Sequence, residues 1–149
     1  MDLFEIAGLP LHPLIVHAVV ILVPLTALAS ILGAFLPSAR KRLGIVTPIA
    51  ALVVLVLVPI AMLAGEALAQ QVGPIPAVLH HADLGRMLWP WTLAMFAVSA
   101  AQWCWYRFGD GPRRTARWII AALAVVSGTG STVMVVLIGE AGARAVWGG

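Results

Sequence analysis

Hydrophobic side chains dominate four long stretches of the chain, and polar side chains collect in the short segments between them. A helix that crosses the hydrocarbon layer of a membrane needs about 20 such residues. The pattern therefore predicts four membrane spans, at about residues 13–36, 44–69, 81–106 and 116–139. Because the connections are short, we expect one all-α domain over residues 1–149, an integral membrane four-helix bundle with up-down-up-down topology.

Composition agrees with a lipid environment. Of the 149 residues, 62% are hydrophobic and 10% are charged, whereas a soluble domain carries about 25% charged residues. This excludes an ordinary soluble domain, and the apolar content excludes a disordered chain. The single cysteine cannot form a disulfide within the chain.

The basic residues predict the orientation of the spans. They concentrate in two connections, residues 37–43 and 107–117, whereas most acidic residues lie at the opposite ends of the spans. Loops rich in Lys and Arg remain in the cytoplasm, so both connections should be cytoplasmic and both chain ends should lie outside. The basic balance then reflects orientation and attraction to anionic membrane lipids, and no nucleic-acid partner is expected.

The two halves of the chain resemble each other in layout. A Leu-His pair opens each half, ending at His12 and at His80, and Gly-Glu-Ala closes each half, around Glu66 and Glu140. The layout is compatible with two αα-hairpin repeats related by an axis along the membrane normal. Small residues at helical spacing in the last span, such as Gly128, indicate close helix packing within the bundle or a surface for a homo-oligomer or partner subunit.

Ionisable residues within the spans gather near the predicted outer ends. Such groups are costly in a membrane and are functional-site candidates by default. Near a helix N-terminus the dipole favours neutral imidazole, which can bind a metal, and near a C-terminus it makes a carboxylate require a cation or a proton. The candidate metal ligands are His12, His17, His81, Glu66 and Glu140.

The histidines also have structural interpretations. His17 fits a hydrogen-bonded packing role as well as a ligand role, and His12 precedes Pro13 at the expected start of a helix, where a capping role suits it. His80 and His81 are adjacent, so their side chains point about 100° apart and only one should face the core well.

The carboxylates differ in whether a basic residue that could pair with them lies nearby in the sequence. Glu140 is followed four residues later by Arg144, and Asp83 three residues later by Arg86, so both pairs should form ion pairs. Glu66 has no nearby cation in the sequence. Because no local ion pair accounts for Glu66, it is the more informative carboxylate about a possible functional site.

Motifs for most enzyme chemistry are absent from the sequence. It contains no Gly-rich phosphate loop, Cys-x-x-Cys, His-Glu-x-x-His or Gly-x-Ser-x-Gly. Nucleotide, thiol-redox, zincin and serine-hydrolase chemistry therefore lack support. We name no catalytic residue and expect an electron-transfer or accessory protein rather than an enzyme.

Three segments carry a resemblance to a known family: residues 9–17 (LPLHPLIVH), residues 81–85 (HADLG) and residues 138–147 (IGEAGARAVW). Together they resemble the bacterial four-helix membrane family catalogued as domain of unknown function 2231. The resemblance implies a multi-pass protein of the bacterial inner membrane. In histidine placement the family is similar to small b-type cytochromes, and some relatives accompany Rieske-type modules, which implies haem b and a membrane redox complex.

The resemblance also suggests which histidines would hold haem. The histidines that match the family are His12, His17 and His81, and the usual Gly-His of the last motif is replaced by Gly139-Glu140. This leaves His17 and His81 as the expected axial pair.

Three hypotheses follow. The first is a haem b electron-transfer protein, or the membrane subunit of a redox complex, with His17 and His81 as ligands and Gly85 and Gly128 giving room for the macrocycle. The second is a cofactor-free structural or accessory subunit, in which the polar residues fix the helix register. The third is a non-haem transition-metal site with mixed imidazole and carboxylate ligands.

Overall fold

The computed structural model describes residues 5–6, 9–73, 75–109 and 113–147, with side chains from residue 11 onward. Two short strands, β1 (Glu5–Ile6) and β2 (Leu9–Pro10), pair antiparallel ahead of the helices. Apart from this pairing the described chain is helical, which confirms the all-α expectation. The predicted outer placement of both chain ends concerns residues 1–4 and 148–149, which lie outside the described residues, as does the tip of the second basic connection, 110–112.

Four of the helices are long: α1 (Leu11–Phe35), α3 (Val46–Val72), α4 (Pro76–Phe108) and α5 (Arg114–Trp147). They correspond to the four predicted spans, but α4 begins earlier and α5 ends later than predicted. The hydropathy pattern marks only the part of a helix that matches the hydrocarbon thickness. Good helix formers such as Ala141 and Ala143 continue α5 past that limit.

The first basic connection, predicted as a short segment between two spans, is itself a helix, α2 (Pro37–Leu43). Pro37 occupies its first turn, where a missing N–H costs nothing. The basic residues of its last turn complement the negative end of the helix dipole. The helix ends at Gly44, whose φ of 41° is left-handed and whose N–H donates to the Arg40 carbonyl.

The long helices pack side by side. α1 and α4 each pack against both α3 and α5, and they contact each other less. Contacts described below bring together the starts of α1 and α4 and the ends of α3 and α5. We call this the histidine end, which holds His12, Glu66, His81 and Glu140, and the opposite end, which holds Arg40 and Arg107, the basic end.

Among the described residues, α1, α3 and α5 are long and apolar enough to cross a membrane. α4 is less apolar because its middle carries Trp89, Pro90, Trp91 and Thr92. Large aliphatic side chains are exposed on the outside of the helices, as expected for surfaces that face lipid. Examples are Leu25, Leu28, Val56, Leu63, Val126 and Val136.

The interior is built from small and aliphatic side chains with a few hydroxyls. Ser99 of α4 lies 3.2 Å from Ser30 of α1, oxygen to oxygen, and donates to the Met95 carbonyl at 2.7 Å. The one proton of Ser99 is therefore used within its own helix, and the Ser30 hydroxyl is the natural donor between the two. This buried contact links α1 to α4, two long helices that otherwise touch little.

Candidate functional site

Two histidines meet at the histidine end. The ring centres of His12, at the start of α1, and His81, near the start of α4, lie 6.1 Å apart with the ring planes at 87°. Both side chains are partly buried. The meeting of α1 and α4 at this end therefore brings two imidazoles from distant parts of the sequence into contact.

Each of these imidazoles is anchored to a backbone carbonyl of a neighbouring helix. His12 Nδ1 donates to the Ala61 carbonyl of α3 at 2.8 Å, and His81 Nδ1 donates to the Ile138 carbonyl of α5 at 3.0 Å. A carbonyl can only accept, so Nδ1 carries the proton and Nε2 of the neutral ring keeps its lone pair. Metal-ligating histidines commonly have this arrangement, because the anchored nitrogen fixes the ring and the tautomer.

A glycine lies against each ring. A Cβ placed on Gly65 would lie 2.8 Å from His12 Cε1, and one placed on Gly142 would lie 3.1 Å from His81 Cε1. Each glycine lies one helical turn beyond the carbonyl that anchors the same histidine. The two histidines therefore have the same environment, each on a carbonyl and a glycine of one helix.

This equivalence revises the register of the internal repeat. The sequence pattern aligned His12 with His80 and Gly65 with Gly139, whereas the structure pairs His12 with His81 and Gly65 with Gly142 by their contacts. His80 is exposed, and a Cβ on Gly139 would meet nothing within 4 Å. The equivalent histidines contact backbone carbonyls and glycines of a neighbouring helix. Short stretches of identical sequence therefore did not reveal which positions are equivalent.

His17 does not join His81. It is exposed, and its Nδ1 donates to the Pro13 carbonyl of its own helix at 2.6 Å. His12 lies five residues earlier, about 140° away around the helix, so the two rings cannot share one face. The predicted pair of His17 and His81 is thus replaced by the pair of His12 and His81.

The carboxylates at this end have cationic partners. Arg86 of α4 lies 3.2 Å from Glu66 of α3 and 3.5 Å from Asp83. Glu140 pairs with Arg144. The ion pairs expected for Asp83 and Glu140 are confirmed, and the cation that the sequence did not reveal for Glu66 comes from another helix.

The predicted five-residue ligand set is therefore not assembled. In the part of the chain that the structure describes, no group of three or more His, Cys, Asp or Glu side chains is placed to hold a metal ion. The site that remains is the pair of imidazoles.

Nearly the whole chain matches the profile of a known family. The profile of a family described as "Predicted membrane protein (DUF2231)" matches residues 8–149. The chain belongs to the DUF2231 family. Membership confirms the resemblance carried by the histidine segments and makes this a membrane protein that contacts lipids. No curated protein and no solved structure matches the chain.

Two glycines of this DUF2231 protein were predicted to leave room for a macrocycle, and they differ in their surroundings. A Cβ on Gly85, one turn after His81 on α4, would meet nothing within 4 Å. A Cβ on Gly128 of α5 would lie 3.2 Å from Ala27 and 3.3 Å from Ile31 of α1. Gly85 thus borders open space, whereas Gly128 permits α1 and α5 to approach closely.

A second polar cluster of the DUF2231 protein lies at the basic end, and the sequence analysis did not find it. Arg40 of α2 donates from Nε to the Gly33 carbonyl at 2.7 Å and from Nη2 to the Ala34 carbonyl at 3.1 Å. Its guanidinium carbon lies 3.6 Å from the centre of the Tyr106 ring. Arg40 therefore caps the C-terminus of α1 and stacks on α4. The basic run predicted only orientation, because the carbonyls and the ring that Arg40 contacts become its neighbours only when the helices pack.

Proposed function

We propose that this DUF2231 protein is a membrane electron-transfer protein, or the membrane subunit of a redox complex, that binds haem b between His12 and His81. In this proposal it spans the bacterial inner membrane as an up-down-up-down four-helix bundle. The histidine end and both chain ends face outside, and the basic end faces the cytoplasm. The observation that carries the proposal is the pair of anchored imidazoles.

The donor set favours a macrocycle over a bare metal ion. A metal ion held by protein alone usually takes three or four protein ligands, whereas the two imidazoles of His12 and His81 would be enough to hold a haem. The two rings whose centres lie 6.1 Å apart are the imidazoles that would hold the haem iron. Glu66 and Glu140 each pair with an arginine, which favours the two imidazoles alone as the donor set.

The residues of the chain would hold and tune the group. The Ala61 and Ile138 carbonyls fix the two rings and increase the basicity of Nε2, the ligating atom. Gly85 follows His81 by four residues, so the open space beside Gly85 lies on the same face of α4 as His81. When bound, haem b supplies one-electron transfer at a depth near the outer surface, where a soluble donor or acceptor can approach.

An optical spectrum tests the proposal. After haem-replete expression, the purified protein should show a Soret band that His12→Ala and His81→Ala each abolish. His17→Ala is the matched control, since His17 makes a similar hydrogen bond but lies on the outer face of α1. It should keep the band. A wild-type protein without porphyrin, or a band lost only in His17→Ala, would contradict the proposal.

A cofactor-free accessory subunit is the second candidate, favoured by the ring geometry itself. The angle of 87° and the separation of 6.1 Å also fit an edge-to-face contact between two rings, which stabilises a fold without a ligand. The histidines would then fix the register of the four helices. This candidate predicts co-purification with a membrane partner, no porphyrin, and no bound metal by elemental analysis.

A further inference from the structure

The basic end contains a cavity between α1, α2, α3 and α4. Its volume is about 360 Å³, and its lining includes Arg40, Lys41, Gln102, Tyr106 and Arg107. This volume is within the range of sites that bind small molecules. The cavity lies at the opposite end of the molecule from the two histidines.

The cationic side chains of this cavity have capacity to bind an anion. Arg40 uses Nε and Nη2 to bond the end of α1, and Nη1 takes part in neither bond. Lys41 and Arg107 also line the cavity, and their side chains are exposed. No carboxylate belongs to the described lining. A fixed guanidinium beside two flexible cations is suited to a phosphate group.

Gln102 adds a neutral polar side chain to the lining of the same cavity. Its side chain is 6% exposed, and its buried Oε1 has no hydrogen-bond partner among the residues that the structure describes. A buried amide oxygen without a donor is costly, and natural structures contain few of them. A ligand that brings a hydroxyl donor would remove this cost.

We propose that the cavity binds a phosphate group that also carries a hydroxylated substituent, as in glycerol phosphate. Arg40, Lys41 and Arg107 bind the phosphate oxygens, and Gln102 accepts a hydrogen bond from the hydroxyl. Two sources share this chemistry: the head group of phosphatidylglycerol in the surrounding bilayer and soluble glycerol phosphate.

Native mass spectrometry and thermal unfolding of the detergent-purified protein can test the proposal with defined probes. Phosphatidylglycerol should bind more tightly than phosphatidylmethanol, which has the same charge without hydroxyls, and far more tightly than phosphatidylcholine. Because phosphatidylmethanol lacks the hydroxyl that would bond to Gln102, its affinity should be roughly 2-fold to 10-fold lower, the usual effect of losing one neutral hydrogen bond. If soluble glycerol phosphate raises the Tm equally and displaces phosphatidylglycerol, the ligand is soluble; if it does neither, the ligand is the lipid.

Two variants test the residues without removing the Arg40 cap. Gln102→Met should abolish the preference for phosphatidylglycerol over phosphatidylmethanol and leave phosphatidylmethanol binding unchanged. Lys41→Ala should weaken binding of both lipids about 5-fold. Arg42→Ala is the matched control, because Arg42 is the exposed basic neighbour of Lys41 and does not line this cavity.

Three results would overturn the proposal. The first is equal binding of phosphatidylglycerol and phosphatidylcholine. The second is equal weakening by Lys41→Ala and Arg42→Ala, which would indicate general surface attraction. The third is a preference for phosphatidylglycerol that survives in Gln102→Met.

Discussion

The His12 ring lies edge-on to the His81 ring, with 6.1 Å between the ring centres. Each ring is held by a main-chain carbonyl and packs on a glycine. Backbone atoms move less than side chains, so the separation of the rings is determined by how the helices pack. Substitutions at the glycines should therefore affect the pair as directly as substitutions of the histidines.

Adding a methyl group at Gly65 or Gly142 should disturb the histidine that packs there. The new Cβ of Gly65→Ala or Gly142→Ala would lie within 3.1 Å of an imidazole carbon. We expect each to lower the free energy of unfolding by about 1–3 kcal/mol, the usual cost of overpacking. Denaturant titration of the detergent-solubilised protein, monitored by circular dichroism, measures the change in the free energy of unfolding.

Gly139→Ala is the control for both substitutions. Gly139 is also a helical glycine of α5 near the histidine end, and its added methyl would meet nothing within 4 Å. Because alanine is the better helix former, this variant should be neutral or stabilised by up to about 1 kcal/mol. Equal destabilisation by Gly139→Ala would show that the cost comes from the helix rather than from the ring contact.

Gly130→Ala should separate α4 from α5. The Trp91 ring packs directly on Gly130, and a Cβ there would fall 2.2 Å from a ring carbon. A large aromatic side chain inside a helix contact cannot move aside without shifting the helices, so we expect a loss of about 1–3 kcal/mol. Trp91→Leu in the Gly130→Ala background should restore part of the lost stability, because the smaller side chain leaves room for the new methyl group. A Gly130→Ala variant as stable as the wild type would contradict the contact.

The bridge between Arg86 and Glu66 should contribute little to stability. The two side chains are 58% and 49% exposed, and exposed ion pairs typically contribute about 0.2–1 kcal/mol. A double-mutant cycle with Glu66→Gln and Arg86→Gln measures the coupling, which should decrease as salt is added. A coupling well above this range, insensitive to salt, would indicate that the pair is shielded from water by lipid.

Sequence reasoning was successful where hydropathy determines the answer. The long helices and the all-α class follow from runs of apolar residues, and the Glu140–Arg144 pair follows from helical spacing. It did not anticipate the contact between His12 and His81, because the partners of these histidines are carbonyls and glycines, Ala61 and Gly65 for His12, which carry no recognisable sequence signal. The choice between His12 and His17 depended on where α1 begins and which face it buries, and both follow from packing between helices.

The orientation of the bundle can be tested with single cysteines. In a Cys104→Ala background, Ser38→Cys places a thiol on α2 at the basic end, and Gln70→Cys places one near the end of α3 at the histidine end. Both positions are exposed. If positive loops stay inside, a membrane-impermeant maleimide added to intact spheroplasts should label the Gln70 variant and spare the Ser38 variant. The reverse result would invert the proposed topology.

The two histidine hydrogen bonds have a consequence for the connectivity of the molecule. His12 of α1 is bonded to α3, and His81 of α4 is bonded to α5, so neither bond crosses the connection between α3 and α4. Each half closes on itself and presents one imidazole to the other half. Cutting the chain at that connection would yield two polypeptides with one imidazole each, which the packing of α1 on α5 and of α3 on α4 would still hold together, and the proposed haem would add a second link between them.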